Sequence, residues 1–181
     1  MTQFSPAVFR QQFPAIEQTG IYLDSAATAL KPKVLLDATQ RYYGQSGATV
    51  HRSLHAEALA TTELFEQARS QAAQLINAAD AGQLVWTKGT TEAINLIAQS
   101  YAVPRLQAGV EILVCETEHH ANLIPWLMAA ERTGARVIKL PMADNYLPDL
   151  ALLEKTLTTK TKILAIGQMS NVTGGCPDLA Y

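Results

Sequence analysis

Gly89, Thr90 and Thr91 are the residues whose types and spacing first suggest chemistry. They follow an apolar stretch typical of a buried strand, 84–86, and precede a segment, 91–101, whose apolar residues recur at helical spacing. Two hydroxyl groups beside the free N–H groups and the positive dipole end of a helix form a site for an anion, most naturally a phosphate. Gly89 would let the backbone approach such a ligand closely. An ordinary turn in which Thr90 caps the helix is the alternative.

Two further polar loops contain residues that could contact a ligand. His119 and His120 precede a predicted helix; adjacent loop histidines do not converge on one ion, so no metal site is predicted. Stacking of a flat imidazole on a planar ligand is the simpler interpretation of these histidines. A helix-capping role for His120 or Asn122 is the alternative. Asn171 lies in a glycine-containing loop, 168–175, whose amide and backbone suit a carboxylate, although a simple glycine turn fits equally well.

Two short segments of the first 55 residues also suit ligand contact. Ala26 and Ala27 belong to a run of small and capping residues, 24–28, that fits a tight loop near a ligand or a plain turn. His51 lies in a loop that follows Gly47. Its side chain is either solvated, as lone loop histidines usually are, or directed at a ligand.

The composition excludes several classes of protein. The 181 residues are 48% hydrophobic and 17% charged, with a net charge of −2, and the basic residues are scattered. The sequence therefore has no basic cluster of the kind that binds nucleic acid or an anionic membrane. No apolar run approaches the ~20 residues of a membrane span. The first residues lack a signal-peptide pattern, and the two cysteines cannot form a disulfide framework, so we expect a cytoplasmic protein.

The predicted elements alternate regularly from residue 83 onward. Predicted strands cover residues 83–87, 111–115, 136–140 and 162–167, and predicted helices cover residues 91–101, 121–133 and 149–157. Such alternation predicts an α/β fold with a mostly parallel sheet. Ligands of these sheets bind outside the carboxyl ends of the strands, which selects the loops 88–91, 116–122 and 168–175.

Helices dominate the predicted elements before residue 83. We predict helices at 6–12 and 32–45, a short strand at 21–23, and a long helix capped by Ser53 that reaches Asn77. The long helix is predicted to bury an apolar stripe consisting of Leu64, Ala68, Leu75 and Ile76. The corresponding stripe of the helix at 91–101 consists of Ala93, Leu96, Ile97 and Tyr101.

Five motifs, taken in chain order, resemble a known family. They are Leu23–Ala27, Val50–Arg52, Gly89–Glu92, Glu118–Asn122 and Met169–Gly174. Together they resemble the cysteine desulfurases of the class V aminotransferase family, and most closely its SufS-like branch. The resemblance covers the whole chain, and it favours the ligand-binding interpretation of each motif.

The resemblance implies the fold of the pyridoxal 5'-phosphate (PLP)-dependent transferases, which is aspartate aminotransferase-like. This is an α/β fold whose large domain has three layers around a mostly parallel sheet, here incomplete. Residues 1–20 would belong to the small domain, and residues 21–181 to the N-terminal part of the PLP-binding large domain. Enzymes of this kind are homodimers with the active site between the subunits.

The resemblance also implies pyridoxal 5'-phosphate as the cofactor and assigns residues to it. Gly89, Thr90 and Thr91 would bind its phosphate. His119 would stack on its pyridine ring as a catalytic residue. Asn171 would contact the cofactor and also help to hold the carboxylate of the substrate.

The implied substrates are cysteine, cysteine sulfinate or selenocysteine, beside which Ala26, Ala27 and His51 would lie. In this family the cofactor ring is an electron sink, and a cysteine thiolate attacks the substrate sulfur to give alanine and an enzyme persulfide. A SufE/CsdE-like sulfur-acceptor protein would then receive the sulfur for iron–sulfur clusters. No nucleic acid or membrane partner is expected.

The sequence departs from the family pattern in one large respect. The Schiff-base lysine, the aspartate on the pyridine nitrogen and the nucleophilic cysteine of these enzymes lie further along the chain than the matching region reaches. None of the seven lysines of this chain takes the place of the Schiff-base lysine. Lys88 is the lysine nearest the predicted cofactor loop, but it matches a basic residue that has a different role in the family. Cys115 is predicted to be core, and Cys176 is a loop residue that we do not expect to be the nucleophile.

We therefore expect the N-terminal part of an enzyme about twice as long, inactive by itself. One alternative is a non-catalytic truncated remnant or a piece that binds a partner. Another is a different class V PLP enzyme, such as a transaminase or a kynureninase-like hydrolase.

Overall fold

The computed structural model describes residues 4–179 of a chain that divides into two compact units, residues 1–85 and 86–181. We call them the N-terminal unit and the sheet unit. Among the described residues, every strand belongs to the sheet unit, whereas the regular structure of the N-terminal unit is entirely helical.

The sheet unit is built on three parallel strands. β1 (Glu111–Cys115) lies in the centre, between β2 (Arg136–Leu140) and β3 (Thr161–Ala165). All five residues of β1 are buried, as expected for a central parallel strand covered on both faces. The predicted α/β class, the parallel sheet and these three strand positions are confirmed.

The predicted strand at 83–87 is wrong, so the sheet has three strands among the described residues rather than four. Ala81–Gln83 form a 3₁₀ turn, and the extended residues that follow pair with no described strand. Val85 and Trp86 are 68% and 50% exposed. The segment has the composition of a strand, but a strand also needs a paired neighbour, which a local pattern does not specify.

The helices of the sheet unit follow the predicted order. α5 (Thr90–Ile97) continues as a π-helical turn, Ala98–Ala102, and is followed by α6 (Ile124–Thr133) and α7 (Leu150–Thr156). The buried members of the hydrophobic core cluster come from the π-helical turn after α5, from α6, from β1 and β3, and from the connections between elements. These members are Ala98, Ala102, Leu106, Val110, Ile112, Val114, Trp126, Ala129, Ala130, Ala135 and Ala165.

The predicted buried stripe of α5 is wrong. Leu96, Ile97 and Tyr101 are 46%, 49% and 59% exposed, whereas Ala98 and Ala102 are buried. The helix has apolar residues on more than one side, so spacing alone does not select the face that meets the sheet. The side that is buried is the one whose small residues allow close packing.

Besides the 3₁₀ turn Ala81–Gln83, the described part of the N-terminal unit contains four helices and one π-helical turn. They are α1 (Pro6–Arg10), α2 (Ala15–Thr19), α3 (Lys33–Arg41) with its π-helical continuation Tyr42–Ser46, and α4 (Ala56–Leu75). The helices predicted at 6–12 and 32–45 are confirmed, with α1 ending two residues early. α2 was not predicted, and the strand predicted at 21–23 is wrong because those residues form no ladder with any described strand.

The long predicted helix is present as α4, with two corrections. Its N-cap is His55 rather than Ser53, and it ends at Leu75 rather than at Asn77. The stripe predicted to be buried is exposed, with 66% of Leu64 and 86% of Leu75 accessible to solvent. Spacing identifies the apolar side of a helix but not whether another element covers it.

No helix within residues 4–179 is both long and apolar enough to cross a bilayer.

Candidate functional site

The first turn of α5 presents unpaired hydrogen-bond donors. Gly89 is its N-cap and supplies no side chain, so the first N–H groups of the helix have no side-chain cap. The hydroxyls of Thr90 and Thr91 are exposed and donate to no group among the described residues. Free N–H groups, two free hydroxyls and the positive end of the helix dipole are suited to a phosphate.

The loop that leads into α5 is fixed by its own side chains. The Glu92 carboxylate accepts a hydrogen bond from the Lys88 N–H at 2.6 Å, and the Thr87 hydroxyl donates to the Gly89 carbonyl at 3.2 Å. At the far end of the first turn, the Asn95 amide donates to the Thr91 carbonyl at 2.8 Å. The donors of this turn are therefore held in place before any ligand binds.

The backbone of Gly89 is extended, with φ 163°, a conformation that any residue adopts. A Cβ built at this position meets no protein atom within 4 Å. The fold itself therefore does not require glycine here. The expectation that Gly89 allows a ligand to approach the backbone remains a prediction.

His119 caps a short 3₁₀ turn, His120–Asn122, that follows β1 and leads into α6. Its Nδ1 accepts a hydrogen bond from the Ala121 N–H at 3.0 Å. The neutral ring therefore carries its proton on Nε2, an assignment that follows from this hydrogen bond. The bond also fixes the ring, which is exposed on the surface of the loop.

A hydrogen-bonded chain holds this loop against the loop after β3. The Trp126 indole donates to the Asn122 amide oxygen at 3.0 Å, and the Asn122 amide donates to Glu118 Oε2 at 2.8 Å. The other oxygen of Glu118 accepts from the Gly167 N–H. Sequence reasoning missed the role of Glu118, although its four-residue spacing to Asn122, and that of Asn122 to Trp126, is visible in the sequence.

The loop after β3 is closed by Ser170 and presents Asn171. The Ser170 hydroxyl oxygen accepts from the Val172 and Thr173 N–H groups at 3.2 Å, and its carbonyl accepts from Gly174 N–H at 3.0 Å. Gly174 has φ 68°, which disfavours any side chain. The Asn171 amide is exposed and makes no hydrogen bond within the described residues, so it is available to a ligand.

Two clefts meet at His119. One, of about 310 Å³, is lined by Thr91, Asn95 and the loop from His119 to Pro125. The other, of about 60 Å³, is lined by His119 and by the loops after β2 and β3, including Asn171. The structure therefore brings three predicted site residues, Thr91, His119 and Asn171, to neighbouring clefts at the carboxyl ends of the strands.

The predicted substrate residues Ala26, Ala27 and His51 belong to the N-terminal unit. Ala26 and Ala27 lie in a turn in which the Ala27 N–H donates to the Asp24 carbonyl at 3.1 Å. The Tyr22 hydroxyl contacts the carbonyls at both ends of this turn, Asp24 and Thr28. Sequence reasoning missed this clamp. The assignment of these residues to substrate contact stays a prediction.

The two cysteines differ in their surroundings. Cys115 is 2% exposed and its Sγ lies 3.0 Å from the Thr117 hydroxyl, so the prediction of a core residue is confirmed. Cys176 is exposed, and its Sγ lies 3.7 Å from the Gln168 amide nitrogen. Within the part of the chain that the structure describes, no three His, Cys, Asp or Glu side chains are grouped as a metal site would need.

Comparison with known proteins identifies a close relative. Cysteine desulfurase CsdA of Escherichia coli (strain K12) is 59% identical over 180 residues, an alignment that covers 99% of this chain and 45% of CsdA. The crystal structure of that desulfurase, in its S-sulfonic acid form, matches with a TM-score of 0.88 over 98% of this chain and 45% of its own. The chain therefore spans less than half the length of this relative, as expected for part of a longer enzyme.

Two other solved structures share the fold. The apo structure of cysteine desulfurase from Thermococcus onnurineus NA1 is 31% identical, with a TM-score of 0.86, and the match covers 94% of this chain and 42% of that one. A C-DES mutant with glycine covalently linked to its PLP cofactor is 23% identical, with a TM-score of 0.69 over 86% and 39% of the two chains. At that identity the likeness concerns the fold alone.

The family model for aminotransferase class-V matches residues 21–181. Because that match includes most of the chain, the protein belongs to the aminotransferase class-V family.

Proposed function

We propose that this chain forms part of a PLP-dependent cysteine desulfurase, which converts cysteine to alanine and retains the sulfur as an enzyme persulfide. The observation that carries the proposal is the position of His119. His119 lines both the cleft that contains Thr91 and the cleft that contains Asn171. A planar cofactor on that ring could have its phosphate on one side and the substrate carboxylate on the other. The likeness to E. coli CsdA supports the same conclusion.

The residues present fit the phosphate of PLP. The hydroxyls of Thr90 and Thr91 and the first N–H groups of α5 have no other partner among the described residues. The nearby Glu92 carboxylate is bonded back to the Lys88 N–H.

When bound, the cofactor would supply an electron sink for chemistry at the α-carbon of the substrate. The residues of this chain would bind and orient. Thr90 and Thr91 would donate to the phosphate, and Asn171 would donate its amide to the substrate carboxylate. The His119 ring, fixed by the Ala121 N–H, would pack against the pyridine ring and present its Nε2–H beside the reacting atoms.

The wider proposal concerns substrate and partners. The substrate would be cysteine, cysteine sulfinate or selenocysteine, the sulfur would pass to a SufE/CsdE-like acceptor for iron–sulfur clusters, and the whole enzyme would be a homodimer. We place it in the cytoplasm, because that compartment keeps thiols reduced and both Cys115 and Cys176 are free.

A chimera tests the desulfurase assignment. This chain would replace the aligned 180 residues of E. coli CsdA, and the product would be incubated with cysteine. With dithiothreitol present to reduce the enzyme persulfide, we expect release of alanine together with sulfide. A keto acid as the sole product would instead support a transaminase, and no turnover with retained cofactor would support a non-catalytic piece.

The phosphate role of α5 is tested in the same chimera. Replacing Thr90 and Thr91 by alanine should raise the Kd for PLP on the order of a hundredfold or more, since each charge-assisted hydrogen bond contributes roughly 1.5–3 kcal/mol. Thr39→Ala on α3, whose hydroxyl donates to the Leu35 carbonyl, is the matched control and should leave the Kd unchanged. Equal PLP retention by the double variant would contradict the assignment.

The 181-residue chain alone should not turn over cysteine. After incubation with PLP and reduction with borohydride, its peptide map should show no specific phosphopyridoxyl-lysine, because no lysine of this chain matches the family's Schiff-base position. Lys88 is the residue to watch, since its N–H is bonded to Glu92 beside the proposed phosphate site. Stoichiometric labelling of one lysine together with turnover would show that the chain is self-sufficient.

A further inference from the structure

His51 has a backbone conformation that is rare for its residue type. Its φ is +62°, in the left-handed region that disfavours side chains. Such a conformation persists where the surroundings determine it, and it is concentrated at functional sites. The contacts that hold His51 in this conformation therefore indicate its role.

Three residues on one face of α4 hold His51. The Thr62 hydroxyl accepts from the His51 N–H at 3.0 Å, and Glu66 Oε1 lies 3.0 Å from Nε2 of the ring. The Phe65 ring packs edge-on against the imidazole, with 5.6 Å between the ring centroids. Backbone and ring are thus both fixed by residues that are three and four positions apart on the helix.

Glu66 is itself fixed. Its second oxygen, Oε2, accepts from Nη2 and Nε of Arg69 at 2.6 and 2.9 Å. The Glu66 side chain is 35% exposed and that of Arg69 is 29% exposed. The carboxylate therefore has one oxygen for Arg69 and the other for His51, which makes Nε2 the donor. Nδ1 of His51 has no partner among the described residues.

His55, four residues later, shows the opposite arrangement. Its Nδ1 lies 3.0 Å from Glu57 Oε2 and 3.4 Å from the Ala58 nitrogen, at the N-cap of α4. Because a carboxylate only accepts hydrogen bonds, the shorter contact has Nδ1 as the donor and leaves the lone pair on Nε2. His55 thus uses Nδ1 for the fold, whereas His51 uses Nε2. Of these two histidines, His51 is the one whose Nδ1 is available.

We propose that Glu66, held by Arg69, is a positioning residue that accepts a hydrogen bond from the Nε2–H of His51 and leaves Nδ1 as the nitrogen available to accept a proton or a hydrogen bond from a ligand. The inference rests on the proposed function for the identity of that ligand. The geometry of the pair can be tested without substrate or cofactor.

The position of alkylation on the ring reports which nitrogen is free. The 181-residue chain, with its thiols reversibly blocked, would be treated with iodoacetamide, and trypsin would separate the His51 peptide, 42–52, from the His55 peptide, 53–69. The two isomers of the alkylated histidine are then resolved by chromatography. We expect mainly the Nδ1 isomer at His51 and mainly the Nε2 isomer at His55.

Glu66→Ala removes the acceptor while keeping a strong helix former in α4. It should lower the ratio of Nδ1 to Nε2 product at His51 about tenfold, as expected for the loss of a hydrogen bond to a charged group. Glu66→Gln keeps an acceptor oxygen and should retain the wild-type isomer. Glu57→Ala is the matched control and should leave the product at His51 unchanged.

Three results would overturn the inference. They are a predominant Nε2 product at wild-type His51, an unchanged ratio in Glu66→Ala, and a loss of α4 helicity in Glu66→Ala measured by circular dichroism. The last would assign Glu66 to the fold of the helix. None depends on PLP binding, so failure of the desulfurase assignment would be seen separately, in the chimera.

Discussion

The sheet unit and the N-terminal unit are of similar length but bury their apolar residues very differently. All eleven members of the buried core cluster lie in the sheet unit. In the described part of the N-terminal unit, the buried apolar residues are three alanines, Ala48, Ala58 and Ala73. Many of its larger apolar side chains are exposed, with Leu23 at 91% and Leu75 at 86%.

The difference shows where the stability of this chain originates. Helices with little buried apolar surface are marginal in water, because most helical stability in proteins comes from packing. The sheet unit has that packing, whereas the N-terminal unit relies more on local bonds such as Lys33 to Asp37 at 2.7 Å. We expect the two units to respond differently to mutation and to pH.

The largest effect should come from truncating the core of β1. Ile112 is fully buried, so Ile112→Ala should lower the free energy of unfolding by about 2–5 kcal/mol through lost burial and the cavity left behind. Leu75→Ala on α4 removes a similar side chain that is already exposed, and should change stability by less than about 0.5 kcal/mol. Urea unfolding followed by tryptophan fluorescence and circular dichroism measures both. Equal losses would show that the exposed face of α4 is packed in solution.

A smaller effect is expected at the loop that presents His119. Glu118→Ala leaves the half-buried Gly167 N–H and the Asn122 amide without their acceptor, which should cost about 1.5–3 kcal/mol. This bond joins residues 49 positions apart in the sequence, so its loss should also loosen the two loops around His119. Glu116→Ala, at an exposed position two residues away, is the control and should have little effect. Faster hydrogen exchange of the backbone amides in the loop after β3 would detect the change. Unaltered exchange in Glu118→Ala would show that the Glu118–Gly167 hydrogen bond does not hold the two loops together.

The sequence predicted well what local chemistry and periodicity determine. The three strands of the sheet and the helices between them follow from apolar runs and helical spacing, and the parallel sheet places His119 and Asn171 at one edge. The anion site expected at Thr90 rests on the chemistry of a helix N-terminus and stays a prediction. These features depend on neighbours in sequence or on a general rule of sheet topology.

What depends on distant partners could not be predicted. The strand at 83–87 has suitable residues but no described partner, and the stripe of α4 has suitable spacing but no cover. Glu118 and Glu66 are ordinary polar residues in the sequence. Their partners, Gly167 and His51, lie 49 and 15 positions away and become visible only in the fold.

The smallest expected effect concerns pH and compares two carboxylates, one in each unit. The Thr158 hydroxyl, which donates to Glu111 at 2.7 Å, lowers the pKa of this carboxyl from 4.5, and Arg136 at 3.0 Å contributes. At Glu57, a hydrogen bond from its own backbone N–H lowers the pKa, followed by His55. The Glu111 side chain is 9% exposed and that of Glu57 is 64% exposed.

A pKa lower in the folded than in the unfolded state stabilises the fold above the unfolded value, and the gain is lost as the pH falls through the folded value. Wild-type stability should therefore decline as the pH falls below 4.5, and Glu111→Gln should weaken this decline while reducing stability at neutral pH. Glu57→Gln should change the pH dependence less, because solvent screens an exposed carboxylate. Urea midpoints measured between about pH 7 and about pH 3 test both variants. If Glu57→Gln weakened the loss of stability at low pH more than Glu111→Gln does, the comparison would be reversed. The carboxylate that makes stability depend on pH would then lie in the N-terminal unit.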